Sequence, residues 1–266
     1  MDQFYTNYNI ASKYFDIFKS NVDVNKFDII LEPSAGTGAF FKLLPKDKRQ
    51  GIDLDPKYKE VIKMNFFDFK SEEKKYIVIG NPPFGRGCST AIKFFNHAAK
   101  FADIIAFIIP RTFKRISVQN KLDMNFHLIY SDDLPMKPCP FTPNIGAKCC
   151  FQIWEKRVIP RVKNVLPRTH TDFKFLAMGP KDKKKQPTPP KNADFAMKAY
   201  GSNCGKIVTD KLETLRPKSW HWFKSDNAVD LIEKFKQLDF SISKDTVRQD
   251  SIGRAEVVKL YVDKFD

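Results

Sequence analysis

The chain has 266 residues, 42% of them apolar, with 25 Phe and a net charge of +15. That is enough apolar material for a buried core, which excludes a disordered polymer, and the longest apolar run (residues 104–109) is too short to span a bilayer. The excess of base suits a polyanionic partner, most often nucleic acid; a Lys-rich solvated surface would produce the same balance. The five Cys form no CxxC pair and no disulfide-like spacing, and the chain opens without a signal-peptide pattern. An intracellular, reducing setting is therefore expected, cytoplasmic or nuclear, with no metal site.

Asp2, Gln3, Phe4, Tyr5 and Thr6 open the chain, followed by a helical pattern with Ile10, Tyr14, Ile17 and Phe18 on one face. Residues 27–31 read as a strand, and Glu32, Pro33, Ser34, Ala35, Gly36, Thr37 and Gly38 as a turn into a helix. Gly36 and Gly38 would let backbone N–H groups approach a ligand. The third glycine of a dinucleotide fingerprint is missing, and so is a phosphate-gripping Gly-Lys-Ser/Thr. Glu32 instead suits an ammonium group. The strand at 50–54 carries Asp53 toward two ribose hydroxyls. A third strand at 61–66 leads to Asp68 and Phe69, which could frame an adenine edge. Amino acid, ribose and adenine together point to S-adenosylmethionine (SAM).

Residues 76–79 predict a buried strand that stops at Gly80. Asn81, Pro82, Pro83 and Phe84 follow, in a segment the prolines keep out of a helix. The Asn81 side-chain oxygen and the Pro82 carbonyl are acceptors for the two hydrogens of an adenine amine, and the Phe84 ring could stack on the base. A proline turn with a buried Phe is the plainer reading. Beyond it, Arg86 could meet a phosphate or stand solvated, and residues 89–101 suggest a helix burying Ile92, Phe95 and Ala99. A fifth strand at 103–109 ends in a basic loop with Arg111 and Lys114 as candidate substrate contacts. Residues 126–130 and 148–154 would be the sixth and seventh strands, the last as an antiparallel edge. The Pro-rich loop between them contains Phe141, by itself a loop anchor.

The Glu-Pro-Ser-Ala-Gly-Thr-Gly run at 32–38, Asp53, Asp68 with Phe69, and the Asn-Pro-Pro-Phe tetrad at 81–84 resemble class I SAM-dependent methyltransferases acting on the N6 amine of adenine. Gln3, Phe4, Tyr5 and Thr6 are similar to the Phe-x-Thr-Pro segment preceding the first strand in one circular order of that family, with Asn7 where Pro is usual. The resemblance covers residues 1–156. It implies an α/β fold: a doubly wound, seven-stranded, mostly parallel, Rossmann-like sheet. It further implies Tyr5, Thr6, Glu32, Ser34, Gly36, Gly38, Asp53, Asp68, Phe69 and Asn81 at SAM, residues 81–84 at the reaction, and Phe84, Arg86, Arg111, Lys114 and Phe141 at the substrate, with Phe141 over a flipped base.

From residue 157 the composition turns more basic, +9 over 157–266 against +6 before it. A small α+β appendage that helps present the substrate is expected. It would have strands at 172–179 and 194–200, a mobile Lys-rich loop at 181–191, and helices at 227–238 (with Val229, Leu231, Ile232, Phe235, Leu238 inward) and 254–265. The aromatic residues Trp220, Trp222 and Phe223 could be core or a base platform. The expected activity is adenine-N6 methylation of DNA. The alternatives are the same reaction on RNA, or a catalytically silent nucleic-acid-binding subunit; a protein-glutamine methyltransferase would usually carry Tyr at position 84.

Overall fold

Hydrophobic runs bounded by glycine and proline build the first half of the chain as alternating strands and connections. The computed structural model describes residues 4–266, so Asp2 and Gln3 lie outside the described residues. A two-residue strand, β1 (Tyr5–Thr6), precedes helix α1 (Tyr8–Asn21). Helix α1 buries Ala11, Tyr14, Phe15 and Phe18, an i, i+3, i+4, i+7 stripe rotated from the expected one, so Ile10 and Ile17 are only half-buried. Then come β2 (Ile29–Glu32), β3 (Arg49–Asp53), β4 (Ile62–Lys63) and β5 (Tyr76–Gly80). Helix α2 (Ser89–Ala98) leads to β6 (Ala102–Pro110), α3 (Ile116–Gln119), β7 (Phe126–Asp133), β8 (Phe141–Thr142) and β9 (Cys149–Lys156).

Seven of these strands form one sheet in the order β4-β3-β2-β5-β6-β9-β7, parallel except for β9, which runs antiparallel to both neighbours. This is the expected Rossmann-like α/β class. Strand β9 is not the edge expected of it. Residues 149–154 are all buried, which suits a strand covered on both faces, whereas β7 is mostly half-exposed and takes the edge.

The helix expected after the glycine turn is also absent. Gly36 and Gly38 both take positive φ, and only six residues separate Gly38 from Pro45. That is under two turns of helix, and Phe41–Leu43 settles as a short 3-10 turn instead.

The chain divides into two compact units, Met1–Lys163 and Asn164–Asp266. The second holds β10 (Lys174–Phe175), β11 (Gly179–Lys181), β12 (Pro187–Thr188), β13 (Phe195–Lys198), β14 (Ile207–Val208) and β15 (Trp220–Lys224), then α4 (Ala228–Lys236) and α5 (Arg254–Phe265). An antiparallel sheet, β10-β15-β13-β14, packs with α4 and α5 around Phe173, Phe195, Phe223, Phe235 and Tyr261. Phe195 and Phe223 stack with centroids 4.7 Å apart. Trp222 and Phe223 are therefore core, not a base platform. Val229, expected inward, is 78% exposed, and the Lys-rich loop forms the β11–β12 hairpin, its tip closed by Asp182 accepting from the backbone N–H groups of Lys184 and Gln186.

Candidate active site at the tips of β2 and β5

In a sheet of this kind ligands collect beyond the carboxyl ends of the strands, where the strand order reverses. That point lies between β2, ending in Glu32, and β5, ending in Gly80. Gly80 has φ +151°, and a Cβ on it would come within 3.1 Å of Glu32 Cγ, so glycine is what lets the Glu32 side chain lie across this tip. Glu32 is 3% exposed, and its Oε2 accepts from the Phe41 backbone N–H at 2.7 Å. Burial pushes its carboxyl well above the usual value near 4.5; the Phe41 N–H opposes this and the Asp53 charge adds to it.

The Ser34 hydroxyl donates to the Asn81 carbonyl at 3.0 Å, which pins the turn after β2 to the segment after β5. The Asn81 Nδ2 donates to the Phe4 carbonyl at 3.4 Å. Its Oδ1 is left buried without a partner, and so is Thr6 Oγ1. Buried oxygens of this kind are rare unless something is bound to them. Phe4, Thr6, Glu32, Ser34 and Asn81 all line one narrow cavity of about 20 Å³.

The wall of that cavity is held by residues the sequence reading passed over. Strand β1 pairs with β8, Thr6 opposite Phe141. Asn7 donates from its backbone N–H to Pro140 and from Nδ2 to the Cys139 carbonyl, and accepts from the Thr142 hydroxyl at 2.7 Å. The one signal for this was Asn7 standing where proline is usual, since proline has no N–H to donate. The Tyr5 ring lies on Gly36, where a Cβ would meet it at 2.8 Å.

The expected residues divide accordingly. Tyr5, Thr6, Glu32, Ser34 and Asn81 come together at the cavity. Gly36 and Gly38 do not offer their own N–H groups to it, although Thr37 and Ala39 of the same turn line it. Gly36 N–H donates to Asp53 Oδ2 on β3 at 2.8 Å and Gly38 N–H to the Ala35 carbonyl within the turn. Asp53 also accepts from the Asp55 N–H, and each of its oxygens keeps a further lone pair. Asp68 and Phe69 do not line the cavity: Asp68 is exposed, and Phe69 packs against Tyr76 and Phe101.

On the substrate side, Phe84 is half-buried, and its carbonyl accepts from the Thr90 and Ala91 N–H groups at the start of α2. Pro82 is buried, Pro83 exposed, and the Pro82 carbonyl accepts no hydrogen bond among the described residues. Arg86 is exposed, with no ion pair among the described residues. Phe141 corrects the expectation of a base cover: it is 0% exposed and meets Phe84 edge-on, centroids 6.4 Å apart, so it backs the Phe84 ring. Arg111 and Lys114 are not free for phosphate either. Both pair with Asp133, at 3.4 and 2.9 Å, and Arg111 also donates to the Leu134 and Cys149 carbonyls.

No protein-family model matches the chain, and no curated protein matches it. Among solved structures it is similar over part of its length to a protein assigned as an RNA methyltransferase from Pyrococcus horikoshii (20% identity, 59% of this chain and 88% of that one, TM-score 0.43). It is similar also to the 23S rRNA methyltransferase ErmE (13%, 61% and 73%, 0.43). A third is a protein assigned as a class I SAM-dependent methyltransferase from Listeria monocytogenes (15%, 60% and 64%, 0.44).

Proposed function

We propose that this chain is a SAM-dependent methyltransferase acting on the N6 amine of adenine in nucleic acid. The observation that carries the reading is the buried, unpartnered Asn81 Oδ1, one residue before a Pro82 carbonyl with no partner among the described residues and three before the half-buried Phe84 ring. Two hydrogen-bond acceptors and one aromatic face are what an exocyclic aromatic amine requires.

The residues at the cavity fit SAM in kind. Glu32 is a buried carboxylate for its ammonium group and Thr6 Oγ1 an unmet hydroxyl for its carboxylate; outside the cavity lining, Asp53, bonded to Gly36 of the turn, has lone pairs left for ribose hydroxyls. When bound, SAM supplies a methyl group on a sulfonium. Everything else falls to the protein. Asn81 Oδ1 and the Pro82 carbonyl accept the two amine hydrogens from outside the base plane, which favours pyramidal nitrogen and turns its lone pair toward the methyl. Phe84, backed by Phe141, holds the base flat, and fixed dipoles with correct positioning do the remaining work. In a duplex the adenine must first leave the stack, at a cost of a few kcal/mol. Residues 1–156 would carry SAM and the reaction, and the basic residues 157–266 would hold the polymer.

The test is transfer of label from SAM to duplex DNA, single-stranded DNA and total RNA in separate reactions. Label recovered as N6-methyladenine in any of them supports the reading and selects the polymer. No label in all three, with no SAM binding by calorimetry, would favour the silent subunit.

A further inference from the structure

A groove on the flank of α2 shares no residue with the cavity just described. We propose that it holds one unpaired nucleotide of the same nucleic acid, outside the target-base pocket; this rests on the reading that the substrate is a polynucleotide. The groove exists because the connection from β4 to β5 contains no α-helix. A parallel crossover usually lays a helix against its neighbour; here only the 3-10 turn Phe66–Asp68 does so. Between that turn and α2 lies a space of about 400 Å³ lined by Phe67, Lys93, Asn96, His97 and Lys100, within the range that accommodates a nucleotide.

Two features fit an unpaired nucleotide. Lys93 is on α2 and Lys100 is in the turn that ends it, seven residues on, and both line the groove. Both are exposed, and their side chains have no hydrogen bond or ion pair among the described residues. Phe67 is 40% exposed, its ring held by edge-to-face contacts with Phe94 at 5.2 Å and His97 at 5.4 Å. At the floor lies the His97 ring, half-buried, held against the Phe66–Phe69 backbone and with Nε2 enclosed; it supports the Phe67 ring. Asn96 is already engaged with the Lys121 carbonyl and the Asp123 N–H and contributes shape only. Asp68 lies close enough to act on His97, but Lys100 acts on it more strongly in the opposite sense. An aromatic face flanked by unpaired cations is how single strands are bound without regard to sequence.

The experiment is fluorescence anisotropy with fluorescein-labelled 12-mers of deoxyadenosine and of adenosine, titrated with the whole chain at several salt concentrations. The double variant K93Q/K100Q should bind both more weakly. Its slope of log Kd against log salt should fall by about 1.4, the change for two single-strand phosphate contacts. Phe67→Ala should weaken binding about tenfold with the slope unchanged, since stacking releases no counterions. The two lysines are on the surface, so K93Q/K100Q should melt with the wild type. Wild-type affinity and slope in K93Q/K100Q, or displacement of neither 12-mer by the other, overturns the proposal. So does binding of adenosine monophosphate that is lost in K93Q/K100Q while the 12-mers are unaffected. Transfer is read separately. Weakened 12-mer binding in the variants, with no methylation by the wild type, would leave the groove standing and remove the proposed activity. Methylation by the wild type with unchanged binding in the variants would remove the groove alone.

Discussion

Replacing Glu32 with Gln separates the cost of a buried carboxylate from its use. Glu32 is almost wholly enclosed, and Gln would keep an oxygen to accept the 2.7 Å bond from the Phe41 N–H. Because burial raises the carboxyl pKa above its unfolded value, the native chain holds a proton that the unfolded chain releases. Stability from this group is full below about 4.5 and is lost as pH rises through the raised folded pKa. At pH 8 Glu32→Gln should thus be as stable as wild type or more so, and its melting temperature should vary less with pH. Glu32→Ala leaves the Phe41 N–H without a partner and should cost about 1–3 kcal/mol. Binding should show the opposite pattern. A hydrogen bond to a charged group contributes about 1.5–3 kcal/mol, so Glu32→Gln should weaken SAM binding by roughly 10- to 150-fold. Wild-type SAM affinity should rise with pH as Glu32 ionises, with a proton released on binding that calorimetry in two buffers would detect. If Glu32→Gln bound SAM like the wild type, Glu32 would be a purely structural acceptor and the cofactor assignment would lose its main anchor.

Asn81→Ala should lower the transfer rate at least 100-fold while SAM binding stays within a few-fold, measured by label incorporation and calorimetry on the same sample; wild-type turnover would refute the role given to Oδ1. Gly36→Ala forces a side chain into φ +49° and against the Tyr5 ring at 2.8 Å, and should lower stability by about 1–3 kcal/mol in urea unfolding. SAM should also slow hydrogen exchange at Tyr5 and Thr6, since a ligand of its size cannot fit the narrow cavity unless that segment moves and closes again. Asp133→Asn removes the partner of Arg111 and Lys114 and should cost up to about 1 kcal/mol, the pair being partly exposed; a much larger loss would mean that Asp133 does more than hold these two cations.

How much could be read from the sequence depended on whether the signal was local. Strands β2, β5 and β6 were legible as apolar runs because both their faces are buried, and α5 was legible from Val257, Val258 and Tyr261. The insertion of β9 between β6 and β7 is a matter of pairing, which no residue in 149–156 advertises. Glu32 and Asn81 stand at strand ends that the apolar runs mark, Ser34 came with the resemblance, and the structure brings the three to one cavity. Arg111 and Lys114 were misassigned because their partner, Asp133, lies about twenty residues on, at the end of another strand. Phe141 was misplaced for a similar reason: its burial follows from the β1–β8 pairing across more than a hundred residues.

The connections explain why the opening segment matters so much. Residues 33–48, 54–61 and 64–75 each link parallel strands, and none contains an α-helix. A crossover without a helix leaves the tips of β2 and β5 uncovered on that side, yet Glu32 is 3% exposed and Asn81 Oδ1 is buried. The cover comes from Phe4, Tyr5 and Thr6, which are held by a two-residue pairing with β8, the hydrogen bonds of Asn7, the Asn81–Phe4 bond and the seat of the Tyr5 ring on Gly36. So small an attachment stores little energy compared with the sheet, and such segments open first. The polar groups at this tip are thereby kept from water by a short segment rather than by a crossover helix, which is why hydrogen exchange at Tyr5 and Thr6 is the measurement that tests whether the cavity opens.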